Sequence, residues 1–127
     1  MVKVNHIAIQ VKNKKDELFF TEILGMEKVG NFKIAPHLSE AIFKKKRTIE
    51  VTIFVKDNFK IELFITGRRV VPSFNHICLE IPDRKSFIER CKKYGIEIIL
   101  VKRKGKESLF VRDFSGNLFE IKQVPSK

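Results

Sequence analysis

Apolar and polar residues alternate along much of the chain, and this alternation predicts strands joined by a few short helices. The first alternating run extends from Val2 to Val11, and a second extends from Phe74 to Ile81. Each run contains an Asn-His-Ile triplet, which begins at Asn5 in the first copy and at Asn75 in the second. A pattern that returns in this way indicates two copies of one supersecondary unit.

Turn and cap residues predict the next elements of the first unit. Asn13 is a suitable N-cap for a helix from about Lys14 to Leu24, and Gly25 is a suitable residue to end it. One or two short strands are expected between residues 27 and 43, interrupted by Pro36. The apolar stripe of the helix is expected to consist of Leu18, Phe19 and Ile23.

A β-hairpin is predicted to close the first unit. The segment from Thr48 to Lys56 is β-branched at most positions, and the Asp57-Asn58 pair predicts a two-residue turn. The segment from Phe59 to Thr66 then returns antiparallel to the first strand of the hairpin. Gly67 to Ser73, which contains two arginines and a proline, is expected to link the two units.

The second unit repeats this order of elements. Asp83 is the expected N-cap of a helix that ends at Gly95 and directs Phe87, Ile88 and Cys91 inward. Three strands follow, at about residues 97–102, 107–112 and 118–123, with turns at residues 104–105 and 113–117. In the second of these turns the side chain of Asp113 is expected to cap the turn.

The predicted fold is α+β: two βαβββ modules form a mixed-sheet, partly open, barrel-like cup with helices on its outer face. Module 1 covers about residues 1–66, a linker covers residues 67–73, and module 2 covers about residues 74–124. The 127 residues amount to a single domain, and the hydrophobic fraction of 43% is sufficient for a core that both modules share.

The strand pattern places the same kinds of polar residue in both modules, namely His6, Glu62, His76 and Glu120. The aliphatic neighbours of these four residues fall on the opposite side of each strand and are expected to pack against helices. The four polar side chains therefore project from the other face. If the modules turn these faces toward each other, two imidazoles and two carboxylates converge, a set that suits Zn, Ni, Co, Mn or Fe(II). Four protein ligands in an octahedral site leave two positions for water or substrate.

Composition narrows the classes of partner. The net charge is +11, but the basic residues are scattered and are not interleaved with aromatic side chains, which argues against nucleic acid. The charge suits a small anionic molecule, such as a phosphate- or carboxylate-bearing thiol cofactor.

No apolar run approaches the ~20 residues that span a bilayer, and the first residues predict a strand, so we expect a cytoplasmic protein with no signal peptide and no membrane partner. Cys78 and Cys91 are expected to be reduced and buried.

Four segments of the sequence carry a resemblance to a known family: His6-Ile7-Ala8-Ile9, Ile61-Glu62-Leu63, Asn75-His76-Ile77 and residues 110–121. With them nearly the whole chain resembles the vicinal oxygen chelate superfamily, which includes glyoxalases, bleomycin-resistance proteins and ring-cleaving dioxygenases. The last segment is the most specific. It is similar to the family's terminal hairpin, which usually reads Asp-Pro-x-Gly-Asn before the last ligand, and here Phe114 stands in place of the proline.

The resemblance implies a metal site and a reaction. The ligand set is similar to that of lactoylglutathione lyase (glyoxalase I), in which the metal polarises the oxygens of a hemithioacetal while a carboxylate moves a proton between neighbouring carbons. It implies that a divalent metal ion is held by His6, Glu62, His76 and Glu120. Glu120 or Glu62, loosened from the metal by substrate, would then be the catalytic base.

The expected substrate contacts lie near these ligands. Gln10 stands where the lyases commonly carry an arginine that binds the carboxylate of glutathione, and Arg68, Arg69 or Lys12 would have to supply that charge. Phe54 and Phe64, expected on the metal-ligand side of their strands, would line an apolar cup. The modules either close this cup within one chain or exchange partners in a homodimer. A homodimer is expected.

Four alternative functions stay open. Methylmalonyl-CoA epimerase has similar segments around both histidines, and a positive surface suits the phosphates of CoA, although the stretch between Glu62 and His76 is shorter than expected there. Ring-cleaving dioxygenases share two histidines and one carboxylate but are usually larger, and fosfomycin thiol transferases usually use only three ligands. Drug-binding proteins of the bleomycin-resistance type use the same fold without metal and generally lack the His/Glu set.

Overall fold

Two four-stranded sheets of the same topology make up most of the structure, a computed structural model that describes residues 1–125. The strands are β1 (Ile7–Val11), β2 (Glu27–Ile34), β3 (Ile49–Lys56), β4 (Phe59–Ile65), β5 (His76–Ile81), β6 (Glu97–Arg103), β7 (Lys106–Arg112) and β8 (Leu118–Gln123). Their order is β1-β4-β3-β2 in the first sheet and β5-β8-β7-β6 in the second. β1 pairs with β4 and β5 with β8 in parallel, and the other pairs are antiparallel. The α+β class and the repeated βαβββ unit are therefore confirmed.

The first crossover is helical, but its winding differs from that of a regular α-helix. It begins with a 3-10 turn at Lys14–Asp16 and continues as a π-helical segment at Phe19–Ile23. Asn13 caps it as predicted, because its side chain accepts a hydrogen bond from a backbone N–H of the first turn. The predicted apolar stripe was wrong at one position. The changed winding leaves Leu18 39% exposed and buries Phe20 completely.

The segment that follows β2 was predicted wrongly. It forms a helix, α1 (Pro36–Phe43), and not a second strand. Pro36 lies in the first turn, where its missing N–H leaves no hydrogen bond unmade and its fixed φ favours the helix. Lys44, at a φ of 60°, ends the helix in the left-handed conformation. α1 is an insertion between β2 and β3, and it places His37 on the exposed surface.

The helix of module 2 follows the prediction closely. It is α2 (Arg84–Lys93), and the Asp83 side chain caps it by accepting a backbone hydrogen bond. Its residues Phe87 and Cys91 are fully buried on the side that packs against the core, and burial raises the pKa of the Cys91 thiol to about 11. Cys78, also expected to be buried, is exposed because it lies on the side of β5 that faces away from the helices. Within residues 1–125 no helix is long and apolar enough to cross a membrane.

The helical segments of both modules meet the two sheets in one hydrophobic core. The ring centre of Phe119, in β8, lies 5.1 Å from that of Phe19 and 6.2 Å from that of Phe20. The core also contains Val11, Ile23, Met26, Phe54, Ile61, Leu63, Phe87, Cys91, Ile96, Leu109, Val111 and Ile121. Residues of both modules therefore stabilise the same core, and the opposite faces of the two sheets lie outside it.

A hydrogen-bond network ties the beginning of module 1 to the last turn of module 2. The fully buried Ser115 donates from Oγ to Asp16 Oδ1 at 2.6 Å and accepts at 2.7 Å from the backbone N–H of Lys12. Asp113 caps the turn as predicted, because its Oδ1 accepts from the backbone N–H groups of Ser115 and Asn117. Burial, with a smaller contribution from Asp16, raises the pKa of Asp113 to about 6.

Candidate functional site

The strand register places the four predicted metal ligands on the sheet faces that point away from the core. Residues directly opposite each other on neighbouring strands share a face. Ala8 of β1, two positions after His6, lies opposite Glu62 of β4, and Cys78 of β5 lies opposite Glu120 of β8 in the same way. We name two surfaces by their residues: the His6 face (His6, Ala8, Gln10, Glu62 and Phe64) and the His76 face (His76, Cys78, Glu80, Arg112, Glu120 and Lys122).

Each face carries one histidine–glutamate pair. His6 Nε2 lies 3.4 Å from Glu62 Oε1, and His76 Nε2 lies 3.6 Å from Glu120 Oε1. The histidine side chains are 38% and 42% exposed, whereas the glutamate side chains are only 15% and 23% exposed. The carboxylate is therefore the more buried member of each pair, and the imidazole is the more open to an incoming ligand.

The second ring nitrogen of each histidine is already engaged. His6 Nδ1 lies 2.8 Å from Asn5 Oδ1, and His76 Nδ1 lies 2.9 Å from the backbone carbonyl oxygen of Phe74. Both partners are hydrogen-bond acceptors, so each Nδ1 carries a proton and donates it. In the neutral imidazole Nε2 then presents a lone pair toward the glutamate carboxylate.

This arrangement fits a divalent metal ion. Two lone-pair donors that face each other repel, and either a proton or a metal cation between them removes that repulsion. Bonds of about 2.0–2.2 Å from nitrogen and oxygen to a metal such as Zn²⁺ set neighbouring ligand atoms roughly 3.0–3.5 Å apart, close to the separations observed in both pairs. A metal-bound histidine also usually donates its other N–H to a carbonyl or carboxylate oxygen, as both histidines do here.

The two pairs do not converge within one chain. In the part of the chain that the structure describes, no group of three or more His, Cys, Asp or Glu side chains lies close enough to hold a metal ion. The two faces belong to different sheets, which pack on each other through the helices on their opposite sides. Each chain therefore presents two half-sites, each with one imidazole and one carboxylate.

The predicted aromatic contacts divide between this surface and the core. Phe64 and Gln10 lie opposite each other on the His6 face, and Phe64 packs against Phe43 of α1 with a ring separation of 5.3 Å. The expectation that Phe54 shares this face was wrong. It lies opposite Ile61, is fully buried and stacks within the core, so it lines no exposed cup.

The two linker arginines differ in how they are held. Arg69 donates from Nη1 to the backbone carbonyl of Phe114 in the last turn, so its guanidinium is fixed at the junction of the modules. Arg68 is exposed, and its backbone N–H donates to Thr66 Oγ1 at 3.3 Å. The linker therefore directs the guanidinium group of Arg69, and not that of Arg68, onto module 2.

Further side chains at these faces escaped the sequence analysis, and one of them, Phe110 of β7, lies opposite Glu120 with its ring centre 6.5 Å from that of His76. Phe43 covers part of the His6 face, and the signal for its helix was Pro36 in the first turn. Arg112 belongs to the His76 face because it lies opposite Leu118, which in turn lies opposite His76. The alternation that locates Glu120 also locates this arginine, so its position was readable from the sequence.

Comparison with known proteins identifies the fold. No protein-family model matches the sequence, and no curated protein gives a significant match. The FosX fosfomycin resistance protein of Listeria monocytogenes superposes with a TM-score of 0.74 at 19% identity over 98% of this chain and 95% of that chain. The FosX protein of Mesorhizobium loti superposes with a TM-score of 0.70 at 14% identity, over 96% of this chain and 91% of that chain. A glyoxalase family protein of Bacillus cereus superposes with a TM-score of 0.75 at 16% identity, over 97% of this chain and 94% of that chain.

These neighbours are members of the vicinal oxygen chelate superfamily, and the chain has the fold that they share. The resemblance predicted from the sequence is thus confirmed as a likeness of fold. Two structures of the Listeria protein contain Mn(II), one with sulfate and the other, of a mutant, with 1S,2S-dihydroxypropylphosphonic acid. A divalent metal ion and a small anionic ligand are therefore both accommodated by proteins of this fold.

Proposed function

We propose that the protein is a divalent-metal-dependent enzyme that moves a proton alpha to a carbonyl of a small substrate, as in the glyoxalase I reaction. The observation that carries the proposal is the histidine–glutamate pair that both modules repeat. In each pair the Nδ1–H group of the histidine donates a hydrogen bond, and Nε2 faces a carboxylate oxygen of the glutamate. The residues that would hold the metal are His6, Glu62, His76 and Glu120. Their mixed nitrogen and oxygen donors suit Ni, Zn, Co, Mn or Fe(II).

A complete site requires the two kinds of half-site to meet, and a homodimer would bring them together. β1 and β5 each lie at an edge of their sheet, and within residues 1–125 no strand pairs with their outer edges. Open strand edges readily pair with a second chain. In a two-fold pair of copies, the His6 face of each chain would meet the His76 face of its partner, so that two identical four-ligand sites form.

The chain's own residues divide the work of such a site. When bound, the metal ion supplies Lewis-acid stabilisation of negative charge that develops on the substrate oxygens. The oxygen atoms of Asn5 and Phe74 hold the imidazoles in the tautomer that presents Nε2 and fix the orientation of the rings. Glu120 or Glu62 accepts the substrate proton at a carboxylate oxygen and returns it to the neighbouring carbon. The ring of Phe64 forms one apolar wall of the site and keeps water away from it.

A small phosphonate is a second candidate substrate. One neighbouring FosX structure holds dihydroxypropylphosphonic acid together with Mn(II), and the net charge of +11 on this chain attracts anions. Gln10 on the His6 face also lacks the positive charge that glutathione binding by the lyases commonly uses. Turnover assays should therefore compare fosfomycin with the methylglyoxal–glutathione hemithioacetal and with methylmalonyl-CoA.

Elemental analysis of chelator-free protein tests the metal proposal. After incubation with Mn, Ni, Co and Zn salts, the wild type is expected to retain about one ion per chain, as two sites per dimer require. The His76→Ala variant is expected to lose the metal, whereas His37→Ala, which removes the exposed histidine of α1, is expected to keep it. Absence of metal from the wild type, or its retention in His76→Ala, would contradict the proposal. Ligand capture that survives chelation would instead identify a drug-binding protein.

A further inference from the structure

A cavity of about 240 Å³ lies at the junction of the two modules, and none of the four candidate metal ligands lines it. Three segments form its walls. Arg69 comes from the linker, Gly95 to Glu97 come from the connection after α2 and the first residue of β6, and Arg112 to Phe114 come from the end of β7 and the turn that follows. The proposed function assigns no role to this cavity.

Two guanidinium groups converge on one turn beside the cavity. Arg69 donates from Nη1 to the carbonyl oxygen of Phe114, and Arg112 donates from Nη1 to the carbonyl oxygen of Gly116 at 3.4 Å. The Arg69 guanidinium also lies close to Gly116, since a Cβ atom added there would lie 3.6 Å from Arg69 Nη2. A guanidinium group has five N–H donors, and these bonds use one from each arginine. The remaining donors can serve a ligand.

The neighbouring carboxylates leave this positive charge largely uncompensated. Glu97 comes no closer than 3.8 Å to Arg112 Nε, and its side chain is 62% exposed, so the ion pair contributes little. Asp113 accepts at Oδ1 from the backbone N–H groups of Ser115 and Asn117, and at Oδ2 from the Asn117 side-chain amide. Its carboxylate is therefore occupied by the turn. Two like charges near one another repel, and an anion between them relieves that repulsion.

We propose that this cavity binds an oxyanion, namely a phosphate, phosphonate or carboxylate group, between Arg69 and Arg112. Planar guanidinium groups recognise such groups through paired N–H···O hydrogen bonds, which are stronger than neutral ones. The buried Ile96 and the half-buried Phe114 supply an apolar wall for a short organic substituent. The volume is below the ~300 Å³ at which pockets for drug-sized ligands begin, which suits a small anion.

The oxyanion has two possible sources, which the same experiment separates. It is either a free anion or the anionic end of a substrate held at the metal, and the second source rests on the proposed function. Arg112 lies on the His76 face, so a substrate on that face has a route to this cavity. Binding to metal-free protein identifies a free anion, whereas binding that appears only after Mn(II) is added identifies a substrate group.

Isothermal titration of the full chain with inorganic phosphate and with methylphosphonate, in the presence and absence of Mn(II), tests the proposal. Arg69→Gln and Arg112→Gln are each expected to weaken binding at least about tenfold, because each removes a charge-assisted contact. Arg103→Gln is the matched control: it removes the same charge from the far end of β6, outside the cavity, and should bind as the wild type does. Arg69→Lys keeps the charge but loses the planar donor pair, so it is also expected to bind more weakly.

Two results would overturn the proposal. One is no binding by the wild type at low ionic strength. The other is an equal loss in Arg103→Gln and Arg69→Gln, which would mean that diffuse surface charge attracts the anion. Circular dichroism verifies folding of each variant, and Arg112→Gln carries the test if Arg69→Gln unfolds. Metal content should be unchanged in all of these variants, so failure here and failure of the metal proposal are distinguishable.

Discussion

The His6 face of module 1 is partly covered by α1, whereas the His76 face of module 2 carries charged side chains beside Phe110, whose ring centre lies 6.5 Å from that of His76. α1 lies between β2 and β3, and its last residue, Phe43, packs on Phe64 two positions after Glu62. In module 2 a two-residue turn joins β6 to β7, and Lys122, exposed, follows the glutamate of that face by two positions. Arg112 adds a second positive charge there.

The elements that recur are those that fix the His–Glu pair, and the elements that differ surround it. Both modules keep a parallel strand pair with the histidine before or at the start of one strand and the glutamate on the other. They differ at the rim of the sheet, where module 1 has gained a helix. In the proposed dimer the Phe43 and Phe64 rings of one half-site would face the charged side chains and the Phe110 ring of the other, which suits a substrate with an apolar part and an anionic part.

The largest expected effect comes from breaking the core that makes the two modules one unit. Phe119 of module 2 is fully buried against Phe19 and Phe20 of module 1. Phe119→Ala is expected to lower the free energy of unfolding by about 3–5 kcal/mol, through lost burial and a residual cavity. Phe74→Ala, at a position that is 99% exposed, should change it by less than about 0.5 kcal/mol. Urea denaturation measures both, and similar losses in the two variants would mean that the modules do not depend on this contact.

A pH effect is expected at the junction between the modules. The pKa of Asp113 is about 6 in the folded protein against an ordinary 3.8, so between these values the native state binds more protons than the unfolded state. The stability that protonation of Asp113 contributes is therefore complete below about pH 4 and is lost as the pH rises through 6, with a total of up to about 3 kcal/mol.

Urea denaturation at several pH values between 4 and 7 isolates this contribution if the wild type is compared with Asp113→Asn. The Asn variant keeps an acceptor oxygen for the two backbone N–H groups but cannot ionise. The difference in free energy of unfolding between the two proteins should change steadily over that range. A difference that is independent of pH would show that the folded carboxyl titrates normally.

A smaller effect should separate the two histidines, because different groups hold them. The side chain of Asn5 orients His6, whereas a backbone carbonyl orients His76 and the equivalent Asn75 makes no contact with it through its side chain among the described hydrogen bonds. Asn5→Ala is expected to weaken metal binding about 10–100-fold, the usual cost of losing such a partner. Asn75→Ala should leave the affinity unchanged. Equal effects of the two substitutions, measured by metal titration, would remove this difference between the modules.

The sequence located the four candidate ligands on the outer faces because strand alternation leaves little freedom. A shift of one residue would bury His6 or Glu62 and expose the aliphatic neighbours, so the pattern determines the face. The same reasoning failed for Phe54 because the length of the turn decides whether residues of the same parity share a face across a hairpin. The two-residue turn places Phe54 opposite Ile61, an even-numbered residue opposite an odd-numbered one, and so on the core side.

Two other features depended on information beyond the strand pattern. The stretch from residue 36 to residue 43 is short, and for short apolar stretches a helix and a strand give similar signals. Leu38 and Ile42, four positions apart, and the initial Pro36 agree with the helix that forms. Whether the two half-sites meet depends on how the sheets pack and on a second chain, neither of which local patterns determine.

Mixing of two inactive variants tests most directly whether a metal site is shared between two chains. His6→Ala and His76→Ala should each lose metal alone. After joint refolding in equal amounts, about half of the dimers would be mixed and would each contain one intact site, so about a quarter of the wild-type metal should return. Mixing His6→Ala with Glu62→Gln, which damage the same half-site, should restore none. Recovery in the first mixture alone is the predicted result, and no recovery in either would contradict a site shared between chains.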